Sequence, residues 1–253
     1  MKTARSSSGL RVLRPSSTAR ARLVFFPHAG GAAASFRTLS AQIPLSFECR
    51  AVEYPGHGAR LFEAARQSID ELAADAVSGI VSVSDRPLIF YGHSMGALVA
   101  LETIRLLERQ GIAPALFIAS AHRAPGWPSR HPSLEGATDD DVVNLIASLN
   151  GMPDSLLQDK ELMGLAVPVI RADFAACDRY QADGRRPITV PMFAYGGGAD
   201  PHVTLAELQG WSATSTAFVT ARMFPGDHFF VDQAPDLVAA SIDRDSAGRG
   251  GIV

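Results

Sequence analysis

Residues 92–96 read Gly92-His93-Ser94-Met95-Gly96. The apolar run Pro87-Leu88-Ile89-Phe90-Tyr91 precedes them and Ala97-Leu98-Val99-Ala100-Leu101-Glu102 follows. The first run reads as a strand and the second as a helix. A serine between glycines at a strand-to-helix junction is the pattern of a nucleophile elbow, a sharp turn that lifts a hydroxyl clear of a sheet. A Cβ at either glycine would collide with the neighbouring strand or helix. Ser94 is therefore the candidate nucleophile. The Met95 amide, at the helix N-terminus, is one candidate donor for the negative charge that develops on attack.

A serine hydroxyl is a poor nucleophile at neutral pH and needs a base. Where this turn occurs, the order along the chain is serine, acid, histidine. Of the seven histidines only His202 and His228 lie late enough. His228 sits in Phe224-Pro225-Gly226-Asp227-His228-Phe229-Phe230, a strand end followed by a turn, and is the candidate base. His202, directly after Asp200-Pro201, reads as a helix-entry residue. The candidate acid is Asp200, at the end of Gly196-Gly197-Gly198-Ala199-Asp200, where the glycines are expected to free the backbone to turn. Asp227 and Asp232 are rivals, but both lie too near His228 in sequence to reach its ring from behind. The second oxyanion donor is the Ala29 amide, in Phe26-Pro27-His28-Ala29-Gly30-Gly31. A phosphate-binding loop there would need G-x-G-x-x-G, which Gly30-Gly31-Ala32-Ala33-Ala34 does not supply. His28 and His93 flank these donors and are expected to shape the loops rather than transfer protons.

Short apolar runs alternate with longer helical patterns, the rhythm of a mostly parallel sheet covered by helices on both faces. The expected strands are 10–13 at an edge, 22–26, 50–53, 88–91, 115–119, 189–194 and 217–224. Ser68-Ile69-Asp70-Glu71 and Thr204-Leu205-Ala206-Glu207 read as capping boxes, and Thr138 as an N-cap before Asp139, Asp140 and Asp141. The helix after Ser94 is expected to run to about Gln110, with Gly111 beyond its end. Pro235 suits the first turn of a last helix. Between about 122 and 186 no strand pattern appears. This stretch reads as a helical lid inserted over the C-terminal ends of the strands, where it would exclude water and shape a pocket. The expectation is one α/β domain over 1–253, with 1–8 and 246–253 disordered.

The chain has 253 residues, 47% hydrophobic and 19% charged, with a net charge of −3. That balance suits a globular domain with a large core and carries no basic field for nucleic acid. Cys49 and Cys177 stand in apolar contexts without metal-ligand spacing and read as buried thiols of a reducing compartment. No signal-peptide pattern or membrane span is read, so the expected location is cytoplasmic.

Four segments, Phe26-Pro27-His28-Ala29-Gly30-Gly31, Tyr54-Pro55-Gly56-His57-Gly58-Ala59-Arg60, Gly92–Gly96 and Gly226-Asp227-His228-Phe229-Phe230, resemble the type II thioesterases, α/β-hydrolases that edit polyketide and nonribosomal peptide assembly lines. Leu165-Ala166-Val167-Pro168-Val169-Ile170-Arg171-Ala172-Asp173 resembles the lid of that family. The resemblance implies an α/β-hydrolase fold and hydrolysis of short, stalled or misloaded acyl groups from the phosphopantetheine arm of a carrier domain. Ser94, His228 and Asp200 would act as triad, with Ala29 and Met95 as oxyanion donors. It implies no metal or organic cofactor, a monomer, and acyl or peptidyl carrier domains as partners, without nucleic acid or membrane. Arg123, Arg130, Arg171, Arg179, Arg185 and Arg186 are candidate contacts for an acidic carrier. The rival readings are a carboxylesterase or lipase, an acyltransferase or cyclase, and a non-catalytic binding protein of the same fold.

Overall fold

A computed structural model describes residues 9–249, apart from His131, Glu135, Pro153 and Asp183. Seven strands form one sheet: β1 (Leu10–Arg14), β2 (Ala21–Phe26), β3 (Phe47–Val52), β4 (Leu88–His93), β5 (Leu116–Ser120), β6 (Met192–Gly197) and β7 (Phe218–Phe224). Their order is β1-β3-β2-β4-β5-β6-β7, with β1 antiparallel to β3 and every other pair parallel. β2, β4, β5 and β6 are buried along their whole length, as continuous apolar strands covered on both faces must be. Alternate residues feed opposite cores. Val24, Phe26 and Phe90 pack against Leu72 and Leu98, while Leu23, Phe25 and Tyr91 pack against Phe36, Leu39 and Ile242.

The helices are α1 (Arg37–Gln42), α2 (Ile69–Val81), α3 (Met95–Glu108), α4 (Asp139–Ser148), α5 (Asp154–Leu157), α6 (Lys160–Arg179), α7 (Leu205–Gln209), α8 (Phe230–Gln233) and α9 (Pro235–Ser246). The caps stand where the sequence reading puts them. The Thr138 and Thr204 boxes close, and Gly111 takes φ 75 after α3. At α2 the Ser68 hydroxyl accepts Glu71 N–H, but the Glu71 carboxylate reaches the Gln67 amide instead of completing a box.

Three of the boundaries that differ from the expected ones have a visible tertiary cause. β3 begins at Phe47 rather than Arg50, because Glu48, a charge inside the run, is buried against Arg22 and Arg50. β6 ends at Gly197 rather than Ala194. Gly196 and Gly197 are strand residues, and they are not free to carry side chains: a Cβ at Gly197 would lie 2.0 Å from Asp227 O. α9 runs through Ser246, which is fully buried and donates to Ile242 O at 2.5 Å, so order persists where the chain is expected to fray. Residues 1–8 and 250–253 lie outside the described residues.

The helical stretch expected over 122–186 holds α4, α5 and α6, which share an apolar cluster of their own around Val142, Ile146, Val167 and Ile170. Ile170 packs on Gly30 in the loop after β2. Among the described residues no helix is long and apolar enough to cross a membrane.

Candidate active site

The chain turns back at β2. The next strand pairs on one side of it and β4 on the other, so the loops leaving β2 and β4 open a crevice at the switch point. The register brings Phe26 opposite Gly92, His93 opposite Ser120, and Gly197 opposite Phe224. The loops carrying Ala29, Ser94, Asp200 and His228 therefore leave one edge of the sheet together.

Ser94 joins β4 to α3 with φ 52 and ψ −123. A side-chain-bearing residue there is strained and persists only where its surroundings over-determine it. Ser94 N–H donates to Ser120 O at 2.7 Å. A Cβ at Gly92 would lie 2.3 Å from Gly96 O, and one at Gly96 would lie 2.0 Å from Phe26 O. The two flanking glycines are thus required by backbone contact, and the hydroxyl is left facing His228.

His228 Nε2 lies 3.1 Å from Ser94 Oγ, and His228 Nδ1 lies 2.8 Å from Asp200 Oδ2. A carboxylate oxygen only accepts, so Nδ1–H donates to Asp200 and Nε2 is left to accept from Ser94. The Asp200 side chain is fully buried, and its Oδ1 accepts His202 N–H at 2.8 Å. His202 thus holds the acid through its backbone, and its ring stands 6.5 Å from that of His228. Asp227 caps its own turn, accepting from Phe229 N–H and from Asn150 Nδ2. Asp232 is an exposed residue of α8.

His28-Ala29-Gly30-Gly31 is a turn closed by Gly31 N–H donating to His28 O at 2.9 Å, with Gly30 at φ 72, the pattern of a type II turn. Among the described residues the Ala29 and Met95 amides donate to no protein acceptor. Three imidazoles gather here from three elements, the His93 ring 6.1 Å from His28 and 5.6 Å from His228. Burial, with His228 and His57 nearby, pulls His28 down to about 4. Burial, then His228 and His28, holds His93 well below its ordinary value. Both rings stay neutral at neutral pH.

The family model "Thioesterase domain" matches residues 21–245. The chain belongs to the thioesterase family. This thioesterase is 34% identical to the "Probable cadicidin biosynthesis thioesterase" of Streptomyces griseus over 92% of its own length and 64% of that protein's. It is 33% identical to GrsT, a gramicidin S biosynthesis protein of Aneurinibacillus migulanus, over 85% of this chain and 84% of the other. Among solved structures, YbtT, the type II thioesterase of the yersiniabactin pathway, superposes with a TM-score of 0.86 at 31% identity, covering 94% of this chain and 97% of that one. BorB, the type II thioesterase of the borrelidin cluster, superposes equally well (0.86) at 30% identity, covering 96% and 100%. The sequence resemblance thus placed the thioesterase in the right family and fold.

Two cavity arms meet at Ser94 in the thioesterase. One, of about 510 Å³ including space open to solvent, carries polar groups of His122, Arg123, Arg130 and His202 among apolar neighbours such as Leu149, Phe174 and Val203. The other, of about 450 Å³ on the same measure, is mainly apolar, lined by Ile146, Met152, Ile170, Phe174 and Phe229. A second buried pair stands behind the loop after β2, His57 with Asp173, 116 residues apart, at 2.8 Å. Both residues lie in segments that carry the family resemblance, but spacing alone could not pair them. Of the arginines named as docking contacts, Arg185 is tied to Asp70 and Glu102, Arg171 to Asp139, and Arg130 to Glu207. Each of the three is paired with a carboxylate of this chain, buried at Glu102 and Glu207 and exposed at Asp70 and Asp139, rather than standing free on a basic face.

Proposed function

We propose that the protein hydrolyses acyl thioesters carried on the phosphopantetheine arm of an acyl or peptidyl carrier domain, removing stalled or misloaded groups as a monomer. The observation that carries the mechanism is the in-line set Ser94 Oγ, His228 Nε2, His228 Nδ1, Asp200 Oδ2 facing two amides without protein acceptors. Ser94 Oγ attacks the thioester carbonyl carbon while His228 Nε2 takes its proton. The oxyanion is held by the Ala29 and Met95 N–H groups. Collapse expels the thiolate, which takes the proton from His228. Water, deprotonated by His228, then attacks the acyl-Ser94 ester and frees the acid and the serine. Asp200 orients the imidazole and stabilises its charged form. The reaction uses only side chains and amides of this chain, so the proposal invokes no metal or organic cofactor.

The two arms support a division of the substrate. The arm lined by Ile146, Met152 and Phe229 suits a short acyl chain, and the arm that holds His122, Arg123, Arg130 and His202 suits the amide-rich pantetheine. The helical insertion holding α4–α6, from which Leu149 and Phe174 line both arms, would act as the lid.

The test is a panel of acyl groups of increasing length on a phosphopantetheinylated carrier protein, run beside free oxyesters of the same acids. Carrier thioesters are expected to turn over faster by orders of magnitude. Faster free-ester turnover would make the protein a carboxylesterase. Ser94→Ala is expected to abolish turnover with an unchanged circular-dichroism spectrum, which a non-catalytic binding protein would not show.

A further inference from the structure

α6 brings one carboxylate to the back of the turn that presents Ala29. Asp173 is 1% exposed, and its Oδ2 accepts Gly30 N–H at 2.7 Å. The same oxygen lies 2.8 Å from His57 Nε2, while His57 Nδ1 lies 3.0 Å from Pro55 O. A carbonyl only accepts, so Nδ1 carries a proton. With a carboxylate oxygen at Nε2, both ring nitrogens donate and the ring is an imidazolium. Asp173 Oδ1 is buried with no hydrogen-bond partner. A buried carboxylate left half unsatisfied is costly, and that cost is offset only through what Oδ2 holds.

Oδ2 holds the turn. The peptide joining Ala29 to Gly30 is the central peptide of a turn, the unit whose flip interconverts turn types. A carboxylate behind it attracts the Gly30 N–H and repels the Ala29 C=O, so only one orientation is compatible with Asp173. Ile170, one turn earlier on α6, fills the space where a Gly30 Cβ would lie 2.5 Å from its Cγ1. The Tyr54 hydroxyl donates to Pro27 O at 3.3 Å and fixes the start of the loop. Two contacts from α6 and one from the segment after β3 thus set the dihedrals of Ala29, and with them the direction of its N–H.

We propose that Asp173, charged through its pairing with His57, is a positioning residue that fixes the Ala29 oxyanion donor, so that the donor is aligned only while α6 is seated on the loop. The inference rests on the reading of Ala29 as an oxyanion donor. It couples closure over the substrate to assembly of the site: an open lid leaves the serine in place but the oxyanion hole misaligned.

The titratable groups around the pair are Glu53, which accepts from Ala33 N–H, Tyr54, whose ring stands 5.6 Å from His57, Cys177 one turn along α6, and His28. Burial works against the His57 imidazolium, but the Asp173 carboxylate, with Pro55 O and Glu53, outweighs it and holds the ring above its ordinary value. His57 thus keeps its proton to a higher pH than an ordinary imidazole, and the charged pair is lost on the alkaline side.

The test compares Asp173→Ala, Asp173→Asn and the wild type on a soluble acyl thioester. A trifluoromethyl ketone analogue, which forms an oxyanion on Ser94, and an unreactive amide analogue are titrated alongside. Asp173→Ala is expected to lower kcat about 10- to 100-fold, less than the loss of a whole donor, with KM changed less than about threefold. Ketone affinity should fall by the same factor as kcat/KM while amide affinity holds. Asp173→Asn, with its amide oxygen in the place of Oδ2, can still accept from Gly30 N–H and from the Nε2–H of a neutral His57, at the cost of the His57 Nδ1 contact with Pro55 O. It is expected to restore kcat to within severalfold and to abolish the alkaline fall in kcat that wild type shows as His57 loses its proton. Equal losses of amide and ketone affinity would overturn the proposal in favour of a purely structural role. An unchanged kcat in Asp173→Ala, or an alkaline limb that survives in Asp173→Asn, would overturn it too. Should Asp173→Ala fail to fold, the pH profile of Asp173→Asn decides alone. Failure of the ketone to bind wild-type enzyme would instead indict the serine mechanism itself.

Discussion

At the scale of single residues, the site is a set of side chains whose partners leave each one a single role. Asp200 is the clearest. Its Oδ1 is taken by the His202 amide and its Oδ2 by His228 Nδ1. Asp200→Asn would present an amide whose NH2 faces Nδ1 and selects the tautomer with the proton on Nε2, the wrong nitrogen for a base. The expected result is a fall in kcat of about 10³- to 10⁴-fold with the fold intact, measured on an acyl thioester at saturating concentration. A loss of less than tenfold would return the acid role to another carboxylate. Ser94, Met95, Ala29, Asp200 and His228 were all legible as residues, because motif and chain order constrain them one at a time. His57 and Asp173 were legible only as parts of similar segments. Nothing in their spacing says that residues on a loop and on a distant helix share a proton.

Elements place those residues, and their histidines carry a pH signature. His28, on the loop after β2, is held at about 4 against an ordinary value of 6.5. As pH falls below about 6.5 the unfolded chain takes up this proton before the folded one does. The contribution is therefore complete above that range and is lost progressively toward about 4. His93 acts in the same direction. His57 has the opposite sign, since its raised value stabilises the fold at low pH and is lost as pH rises through it. Urea midpoints measured from pH 7 to 4.5 should fall for wild type and fall less steeply for His28→Gln. Identical slopes would contradict the assignment. The strands and main helices were legible because their apolar periods and caps are local. The exceptions have tertiary causes. α1, six residues long and without its own cap bond, is unannounced in the sequence and is held by burial of Leu39 against the core shared with α9. Gly196 and Gly197 look like a loop, yet they are strand, with Leu208 packed on Gly196 and the turn that carries His228 crossing beside Gly197.

Over the whole molecule, the helical insertion is anchored at its exit by a buried polar network. Arg185 binds Asp70 on α2 and Glu102 on α3, and Glu102 also meets Arg105 and the Tyr180 hydroxyl. The Glu102 side chain is 5% exposed, so replacing one of its two cationic partners by a carboxylate sets a like charge against a buried one. Arg185→Glu is expected to cost about 3 kcal/mol in urea denaturation, while kcat/KM per folded molecule on a soluble thioester stays unchanged. A stability change below about 0.5 kcal/mol, typical of a surface position, would show that the network is not structural. Arg185 is for that reason a poor probe of carrier docking, although charge counting along the chain suggests it as one.

The amino-acid sequence alone determined the layered α/β architecture, the elbow at Ser94, the order of its partners and the family, because each depends on local periodicity, on glycine where a Cβ cannot fit, or on contiguous motifs. Only the tertiary structure decided which carboxylate meets which imidazole behind the loop after β2, where the strands end, and which arginines are already paired with carboxylates of the same chain. Those outcomes depend on groups that are remote in the chain and come within about 3 Å only when the sheet, its crossing loops and the helical insertion close on one another.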